Sequence, residues 1–254
     1  MKRITIVSMS AVLVAAFLMT ATLPARAAVD PDLRSLGRPP AALGFEDHGL
    51  WVEILNLRLA EAGYHADAGN SFGALTRHAV YAFQKVNGLE TDGVFTSEMW
   101  ELLDTSPELE WRVERNRVEV DLASQVLYLV EDHRVRYILP ISSGSGGTFI
   151  NASGRVVPAR TPEGRFTFER QIDGVRLSYL GELYNPFYFR GGYAIHGSPS
   201  VPNYPASHGC VRVTNWDMDL LKQHFEIGEA VYVYGLATNE PPGVIVRTVA
   251  PASI

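Results

Sequence analysis

The sequence predicts an α+β protein of two domains, a small three-helix bundle followed by a β-rich domain. Two observations predict this order. Up to about residue 104 the apolar residues recur every three or four positions, as on one face of a helix, whereas from Arg117 they alternate with polar residues, as in a half-buried strand. The chain has 254 residues, 46% of them hydrophobic, which is enough for two small domains with real cores.

The first 27 residues have the pattern of a secretory signal peptide. Two basic residues begin the chain, an apolar run extends to about Leu23, and Ala25-Arg26-Ala27 supplies the small residues that signal peptidase recognises. An uncleaved membrane anchor is the alternative, but hydroxyl residues interrupt the run, and it is short for a membrane span. We therefore expect export and no stable membrane insertion after cleavage. Residues 28–46, rich in proline and glycine, are predicted to be a linker.

Residues 47–104 are predicted to form three helices. The first covers residues 51–62 and ends at Gly63, a residue type that commonly follows a helix C-terminus. The second covers residues 76–87 with Thr76 as its N-cap, and a short third helix follows. The apolar stripes of these helices predict a bundle core and say nothing about a ligand.

This helical segment resembles the peptidoglycan-binding domain 1 family. The residues that carry the resemblance occur in the order seen in that family: Gly63-Tyr64, Phe72-Gly73, Thr76, Ala79-Val80, Phe83-Gln84, Gly88-Leu89, Asp92-Gly93 and Trp100. The resemblance implies a three-helix module that docks on bacterial cell wall.

The β-rich domain is predicted at residues 116–235, after a charged linker at residues 105–115. Three strands joined by short turns predict an antiparallel meander, and His133 falls in the second turn, where a solvated side chain is expected. The strands of the meander are expected at about residues 117–122, 125–130 and 135–142, with further strands at 165–169 and 231–234 and a helix at 216–225. Residues 236–254 are predicted to be an appended tail.

Two stretches inside this domain bear on function. Residues 142–160 contain several glycines and break the strand pattern, so they are either a functional loop, such as a lid over a substrate, or a surface excursion. Residues 179–192 are rich in aromatic side chains, which could line a groove. Packing beneath the sheet is the simpler interpretation of these aromatic residues.

Cys210 is the only cysteine of the chain, with His208 two positions before it and His196 further upstream. Exported proteins that use disulfides carry cysteines in pairs, so a single one is an inert core residue, an intermolecular bridge or a reactive thiol. Its polar and glycine-containing surroundings favour the reactive thiol. The net charge of −6 and the lack of a basic block argue against nucleic acid as a partner.

Three chemistries are compatible with these residues. In nucleophilic catalysis His196 would accept the thiol proton, a third group would fix the imidazole, and the backbone amides of Gly209 and Cys210 would stabilise the oxyanion. A metal fits poorly, because zinc sites normally show paired cysteines or histidines, and His208, Cys210 and His224 lack that spacing. We therefore expect no metal. The third possibility is histidines and a thiol that only pack in the core.

The segment around the cysteine resembles the catalytic domain of the L,D-transpeptidase family, of the YkuD type. The resemblance covers about residues 116–234 and implies a β-rich sandwich. The stretches that match the family in order are Val120-Asp121-Leu122, Leu127-Tyr128, Thr161-Pro162-Glu163-Gly164-Arg165-Phe166, Ile195-His196-Gly197 and Ser207-His208-Gly209-Cys210-Val211-Arg212.

The resemblance also implies roles for individual residues. Cys210 would be the nucleophile and His196 the base, with the imidazole oriented by the carbonyl of Gly197. The implied catalytic residues are Cys210, His196, His208, Gly209 and Gly197, with His208 and Gly209 in the oxyanion-hole turn, and the implied substrate-binding residues are Ser207, Arg212 and Tyr193. A structural ion pair is an equally good interpretation of Arg212.

Together the two resemblances imply an exported peptidoglycan L,D-transpeptidase, monomeric and without a cofactor, that acts in the periplasm or cell wall. Cys210 would form a thioester with the diamino acid of a stem tetrapeptide, release the terminal D-amino acid and pass the acyl group to an amine. The alternatives are an L,D-carboxypeptidase, with water as the acceptor, and a non-catalytic wall-binding protein. Because the implied catalytic residues all follow residue 116, deletion of residues 28–105 is expected to leave activity on a small stem peptide nearly unchanged.

Overall fold

A computed structural model describes residues 41–105, 110–111, 116–236 and 245–246 of the chain. Within residues 41–105 three helices pack together, α1 (Leu50–Glu61), α2 (Ala74–Val86) and α3 (Met99–Thr105), as the sequence predicts. None of the helices in the described ranges is long and apolar enough to cross a membrane. The predicted signal peptide lies outside the described residues.

The predicted N-cap of the second helix is wrong. α2 begins at Ala74, after Gly73, so Thr76 lies inside its first turn. There the buried Thr76 Oγ1 donates a hydrogen bond of 2.8 Å to Asn56 Oδ1 on α1. The hydroxyl therefore joins two helices instead of satisfying the free amides at the start of one.

The first sheet contains the predicted meander, which is antiparallel. Its strands are β1 (Glu110–Trp111), β2 (Arg117–Asp121), β3 (Val126–Glu131), β4 (Arg134–Pro140), β7 (Gly164–Thr167), β13 (Ala230–Tyr234) and β14 (Ile245–Val246), in the order β14-β1-β4-β3-β2-β13-β7. His133 is exposed in the turn between β3 and β4, as expected. The segments predicted as a linker and a tail each contribute a short strand, because β1 pairs with both β4 and β14.

The second sheet carries the segments around His196 and Cys210. Its strands are β8 (Arg170–Gln171), β9 (Val175–Ser178), β10 (Gly181–Arg190), β11 (Tyr193–Ser198) and β12 (Val211–Thr214), in the order β12-β11-β10-β8 with β9 paired to β10. The short helix α4 (Asn215–Leu221) follows β12 directly. A separate hairpin of β5 (Thr148–Ile150) and β6 (Val156–Pro158) lies in the glycine-rich stretch, where no strand was expected.

The two sheets face each other across one apolar core, which gives the predicted sandwich. Leu127 and Leu129 of β3 pack in this core, together with Phe187 and Phe189 of β10 and Ile195 of β11. The prediction that the aromatic residues of this region pack beneath the sheet is therefore confirmed for Phe187 and Phe189, both 1% exposed.

The helical domain packs on the opposite face of the meander. Successive side chains of a strand point to opposite faces of its sheet. Accordingly Val126, Tyr128 and Val130 of β3 belong to the core of the helical domain, while Leu127 and Leu129 between them belong to the sandwich core. The meander is thus buried on both faces, and the two domains share a hydrophobic core instead of being joined only by a linker.

Polar groups also join the two domains. The Nζ of Lys85, on α2, donates to the backbone carbonyls of Ile141 at 3.1 Å and Gln125 at 3.3 Å. His65 Nδ1 lies 2.7 Å from a carboxylate oxygen of Asp217, a buried residue of α4. Because α4 follows β12, this contact connects the helical domain to the strand that begins after Cys210.

Candidate active site

His196 and Cys210 are brought together by the parallel pairing of β11 and β12. In this register Ile195 lies opposite Val211 and His196 opposite Arg212, so Cys210, just before β12, is level with Ala194 near the start of β11. Both residues line a cavity of about 320 Å³. A loop between β11 and β12 separates the two residues in the sequence. Because the strands pair in parallel, the end of this loop returns to the start of β11, close to the histidine.

The imidazole of His196 is buried and held by the residue that follows it. Its Nδ1 lies 2.8 Å from the carbonyl oxygen of Gly197, the contact expected from the sequence. A carbonyl only accepts, so Nδ1 carries the proton and Nε2 keeps its lone pair. Burial lowers the pKa of His196 to about 4, and the Arg212 charge acts in the same direction, although the bond to Gly197 opposes both. The imidazole is therefore a neutral base at physiological pH.

The thiol of Cys210 lies in partly apolar surroundings. It packs against Leu183, Tyr188 and Ala194, and its Sγ donates a long hydrogen bond of 3.8 Å to the carbonyl oxygen of Gly192. Burial raises the pKa of Cys210, an effect that a backbone hydrogen bond from Ala194 and the Arg212 charge reduce without reversing. Cys210 thus rests as a protonated thiol and needs a base before it can act as a nucleophile.

The turn before Cys210 is held by hydrogen bonds from its own serine. Ser207 Oγ donates to the carbonyl oxygen of Cys210 at 2.6 Å and accepts from the Gly209 amide at 2.9 Å. The carbonyl oxygen of Gly209 accepts from Thr161 Oγ1 at 2.9 Å, and that hydroxyl accepts from the Gly144 amide at 2.9 Å. The glycine-rich stretch and the turn therefore brace each other.

Gly209 is required by its conformation and by its neighbours. Its φ is 139°, which side chains rarely adopt, and a Cβ there would lie 2.6 Å from Cε1 of Tyr193. The Gly209 amide was expected to donate to the oxyanion, but in the structure it already donates to Ser207 Oγ. Within the described residues, the backbone amides of His208 and Cys210 make no hydrogen bond. These two N–H groups are the free donors of the turn.

Two hairpins form the walls of the cavity. In the glycine-rich stretch, Phe149 of β5 lines the cavity and meets the His208 ring edge-on, with ring centroids 4.9 Å apart. The β9–β10 hairpin contributes Arg176 and Tyr179 to the cavity lining, and β8 contributes Arg170. No pattern in the sequence around Arg170 and Arg176 points to the cysteine, so neither was predicted. Tyr179 begins the aromatic-rich stretch for which a groove was one of two interpretations. Phe149 falls in the stretch for which a lid was one of two interpretations.

The three predicted substrate-binding residues line the cavity as well. Tyr193 and Arg212 line it, and within the described residues Arg212 has no ion-pair partner, so the structural ion pair is absent. Ser207 is only 2% exposed, and its hydroxyl is engaged in the turn. His224 lies elsewhere, 2.8 Å from Glu131, and no metal-ligand cluster exists among the described residues.

The comparisons with known proteins agree on one family. Residues 115–233 match the family described as the L,D-transpeptidase catalytic domain, and residues 49–103 match a peptidoglycan binding domain. Among solved structures, an L,D-transpeptidase from Xylanimonas cellulosilytica is 42% identical, with a TM-score of 0.72, over 77% of this chain and 98% of that one. The chain belongs to the L,D-transpeptidase family.

A second L,D-transpeptidase structure, from Stackebrandtia nassauensis, is 22% identical with a TM-score of 0.44, over 76% of this chain and 97% of that one. No curated protein matches the chain. The alignment with the Xylanimonas cellulosilytica enzyme is longer than the catalytic segment, so this L,D-transpeptidase shares more with it than the catalytic domain.

This L,D-transpeptidase has the groups that acyl transfer through a thiol requires. A protonated thiol, a neutral imidazole and two backbone amides lie in or beside one cavity, and neither Nε2 nor these amides has a hydrogen-bond partner in the described part of the chain. Such a set can transfer a proton, form a thioester and stabilise an oxyanion.

Proposed function

We propose that the protein transfers peptidoglycan stem peptides through a thioester on Cys210. The Cys210 sulfur attacks the carbonyl carbon of the diamino acid in a stem tetrapeptide, and its proton passes to Nε2 of His196. The C–N bond to the terminal D-amino acid then breaks, and the departing amine takes the proton from His196. An acceptor amine then attacks the thioester and gives a proton to His196. When the C–S bond breaks, His196 passes this proton to the sulfur, which restores the thiol.

The resting protonation states support this sequence of steps. The low pKa of His196 keeps the imidazole neutral, and the raised pKa of Cys210 keeps the thiol protonated. Proton transfer therefore accompanies the attack instead of preceding it. The oxyanion that forms at the carbonyl would be stabilised by the free amides of His208 and Cys210, with Gly209 and Ser207 holding the turn in place.

We also propose that the helical domain docks the enzyme on peptidoglycan and that the protein is exported and monomeric. The match to a peptidoglycan binding domain supports docking. The polymer it would bind lies outside the cytoplasm, which is consistent with the predicted signal peptide. A docked module raises the local concentration of stem peptides around the cavity.

The observation that carries the proposal is the bond between His196 Nδ1 and the Gly197 carbonyl, which leaves Nε2 as the base in the cavity that the only thiol of the chain also lines. Its test is intact-mass analysis of the protein incubated with a soluble stem tetrapeptide. We expect one adduct per chain, equal to the donor minus its terminal D-amino acid, and none with Cys210→Ala.

Two histidine variants provide the matched control. His196→Ala should slow adduct formation about a hundredfold to ten-thousandfold, the usual contribution of a general base. His133→Ala, at an exposed turn, should form the adduct at the wild-type rate. If the reduced wild-type protein forms no adduct, the proposal is wrong and a wall-binding role remains. Release of the adduct only to water would favour the L,D-carboxypeptidase.

A further inference from the structure

The cavity beside Cys210 has a charge opposite to that of the whole chain. The chain has a net charge of −6, whereas the cavity is lined by Arg170, Arg176 and Arg212 and by a single acidic residue, Glu182. Within the described residues, none of these three arginines forms an ion pair. Guanidinium groups without a partner on the wall of a cleft attract anionic ligands.

Arg170 is held in place by an aromatic ring. It lies directly opposite Tyr188 in the pairing of β8 with β10, and its guanidinium carbon is 3.6 Å from the centre of the Tyr188 ring. Tyr188 is itself buried and packs in the same small cluster as Cys210. A guanidinium stacked by its face keeps the N–H groups along its edge free for a carboxylate.

Arg176 occupies an equivalent place on the neighbouring hairpin. It lies opposite Leu183 in the pairing of β9 with β10, and Leu183 also packs in the cluster that contains Cys210. Directly opposite residues of an antiparallel pair project from the same face of the sheet. Both arginines are therefore cross-strand neighbours of residues that pack against the thiol.

We propose that Arg170 and Arg176 form a carboxylate-binding subsite, through which the enzyme selects acidic donor peptides over peptides whose carboxyl groups are amidated. This inference rests on the proposed function. A carboxylate accepts charge-assisted hydrogen bonds from a guanidinium, often two in parallel. A primary amide is neutral and presents its own N–H donors, so it loses both the charge and part of the pairing. The group that the subsite would recognise is a free carboxylate of the donor peptide, near the scissile bond.

The test measures the second-order rate constant for acylation of Cys210 by intact mass, with four synthetic tetrapeptide donors. One donor has every carboxyl group free. Each of the others is amidated at one position: the side chain of the diamino acid, the residue before it, or the C-terminus. For the position that the subsite recognises, amidation should slow acylation of the wild type about tenfold to a hundredfold.

The arginine variants identify the subsite. Arg170→Gln and Arg176→Gln should each lose a similar factor with the free donor and lose little more when the recognised carboxyl is amidated, as expected for directly coupled groups. The matched control is Arg165→Gln, since Arg165 is an exposed arginine over the ring of Tyr232 and does not line the cavity. It should leave all four rates unchanged.

A neutral alkylating reagent, iodoacetamide, separates the two ways in which the inference can fail. If the wild type is acylated equally fast by all four donors, or if Arg170→Gln and Arg176→Gln behave like Arg165→Gln, the subsite is wrong while the proposed function stands. If the thiol reacts with iodoacetamide but with none of the donors, the proposed function is wrong and the subsite falls with it.

Discussion

The burial of His196 sets the pH range in which the enzyme should react. Because kcat/KM reports the ionisation of the free enzyme, the acylation rate should follow the fraction of neutral imidazole. With the pKa of His196 lowered to about 4, the rate should be flat through neutral pH and fall to half only near pH 4. If the pKa of this histidine were ordinary, the acylation rate would fall to half at about pH 6.5. Acylation by a soluble stem peptide, followed by intact mass, measures this profile.

Arg212 provides the control for this profile. Its positive charge lowers the pKa of both His196 and Cys210. In Arg212→Gln the acid limb of the acylation profile should therefore move to higher pH, and alkylation of the thiol should also require higher pH. Arg165→Gln should change neither. A wild-type midpoint near pH ~6.5 would show that the imidazole is not desolvated in the free enzyme.

At this scale the sequence predicts residue identities better than their bonding. Cys210, His196 and Gly197 are recognisable in the sequence because the chemistry needs those residue types in that pattern. Which amides of the turn are free is not recognisable, because it depends on the Ser207 hydroxyl accepting from Gly209. The pKa values of His196 and Cys210 depend on burial by residues that are distant in the sequence, which no local pattern contains.

The turn from Ser207 to Cys210 is the element on which the geometry of the site depends. Gly209→Ala places a Cβ 2.6 Å from the Tyr193 ring and 3.0 Å from the carbonyl oxygen of Arg160, at a φ of 139°. Such strain costs on the order of 1–3 kcal/mol, and relief requires the turn to move. We expect a lower unfolding temperature and slower acylation of Cys210, measured by calorimetry and intact mass.

Gly147→Ala is the matched control for this element. Gly147 lies in the glycine-rich stretch that braces the turn, but its added Cβ would meet only Ser145 Oγ, at an ordinary 3.6 Å. This variant should resemble the wild type in both measurements. Equal behaviour of the two variants would mean that the turn tolerates a side chain at Gly209 and that its glycine serves another purpose.

Elements with strong local periodicity were predicted well, and short hairpins were not. The three helices and the meander have apolar residues at regular spacing because each buries one or both faces. The strands β5, β6 and β9 are short and expose most of their side chains, with Val156 at 69% and Leu177 at 71%. Strands without a buried face show no hydrophobic period, so none of these three strands was predicted, although Phe149 of β5 falls in a stretch for which a lid was one interpretation.

At the scale of the whole molecule, the shared core changes what the helical domain is expected to do. The unbroken apolar run Val126-Leu127-Tyr128-Leu129-Val130 is typical of a strand buried on both faces, a signal that the interpretation as a simple meander left unused. Its even-numbered residues pack against the helices. The sequence shows that β3 has two apolar faces, but it does not show which element covers each face.

This packing replaces the expectation that the catalytic domain functions unchanged without its helices. Removing residues 1–105 would expose five side chains that are now at most 8% exposed: Val126, Tyr128, Val130, Val135 and Ile138. It would also leave Asp217 without His65. We expect the truncated protein to be less soluble and to unfold at a lower temperature than the full-length chain, because contiguous exposed apolar surface promotes association. A truncated protein as stable as the full chain would contradict the shared core.

A resurfaced truncation separates folding from catalysis. Val126→Thr, Tyr128→Lys, Val130→Thr and Ile138→Thr make most of the exposed face polar, and threonine, used at three of the four positions, is common in strands. Every residue that lines the cavity comes from the segment between Phe149 and Arg212, so this folded protein should acylate with a small soluble stem peptide at close to the full-length rate. Its activity on intact sacculi should fall, because the proposed docking module is gone. A folded, resurfaced protein that fails on the soluble peptide would show instead that the helical domain acts on the site itself, with the His65–Asp217 contact on α4 as the connection to test next.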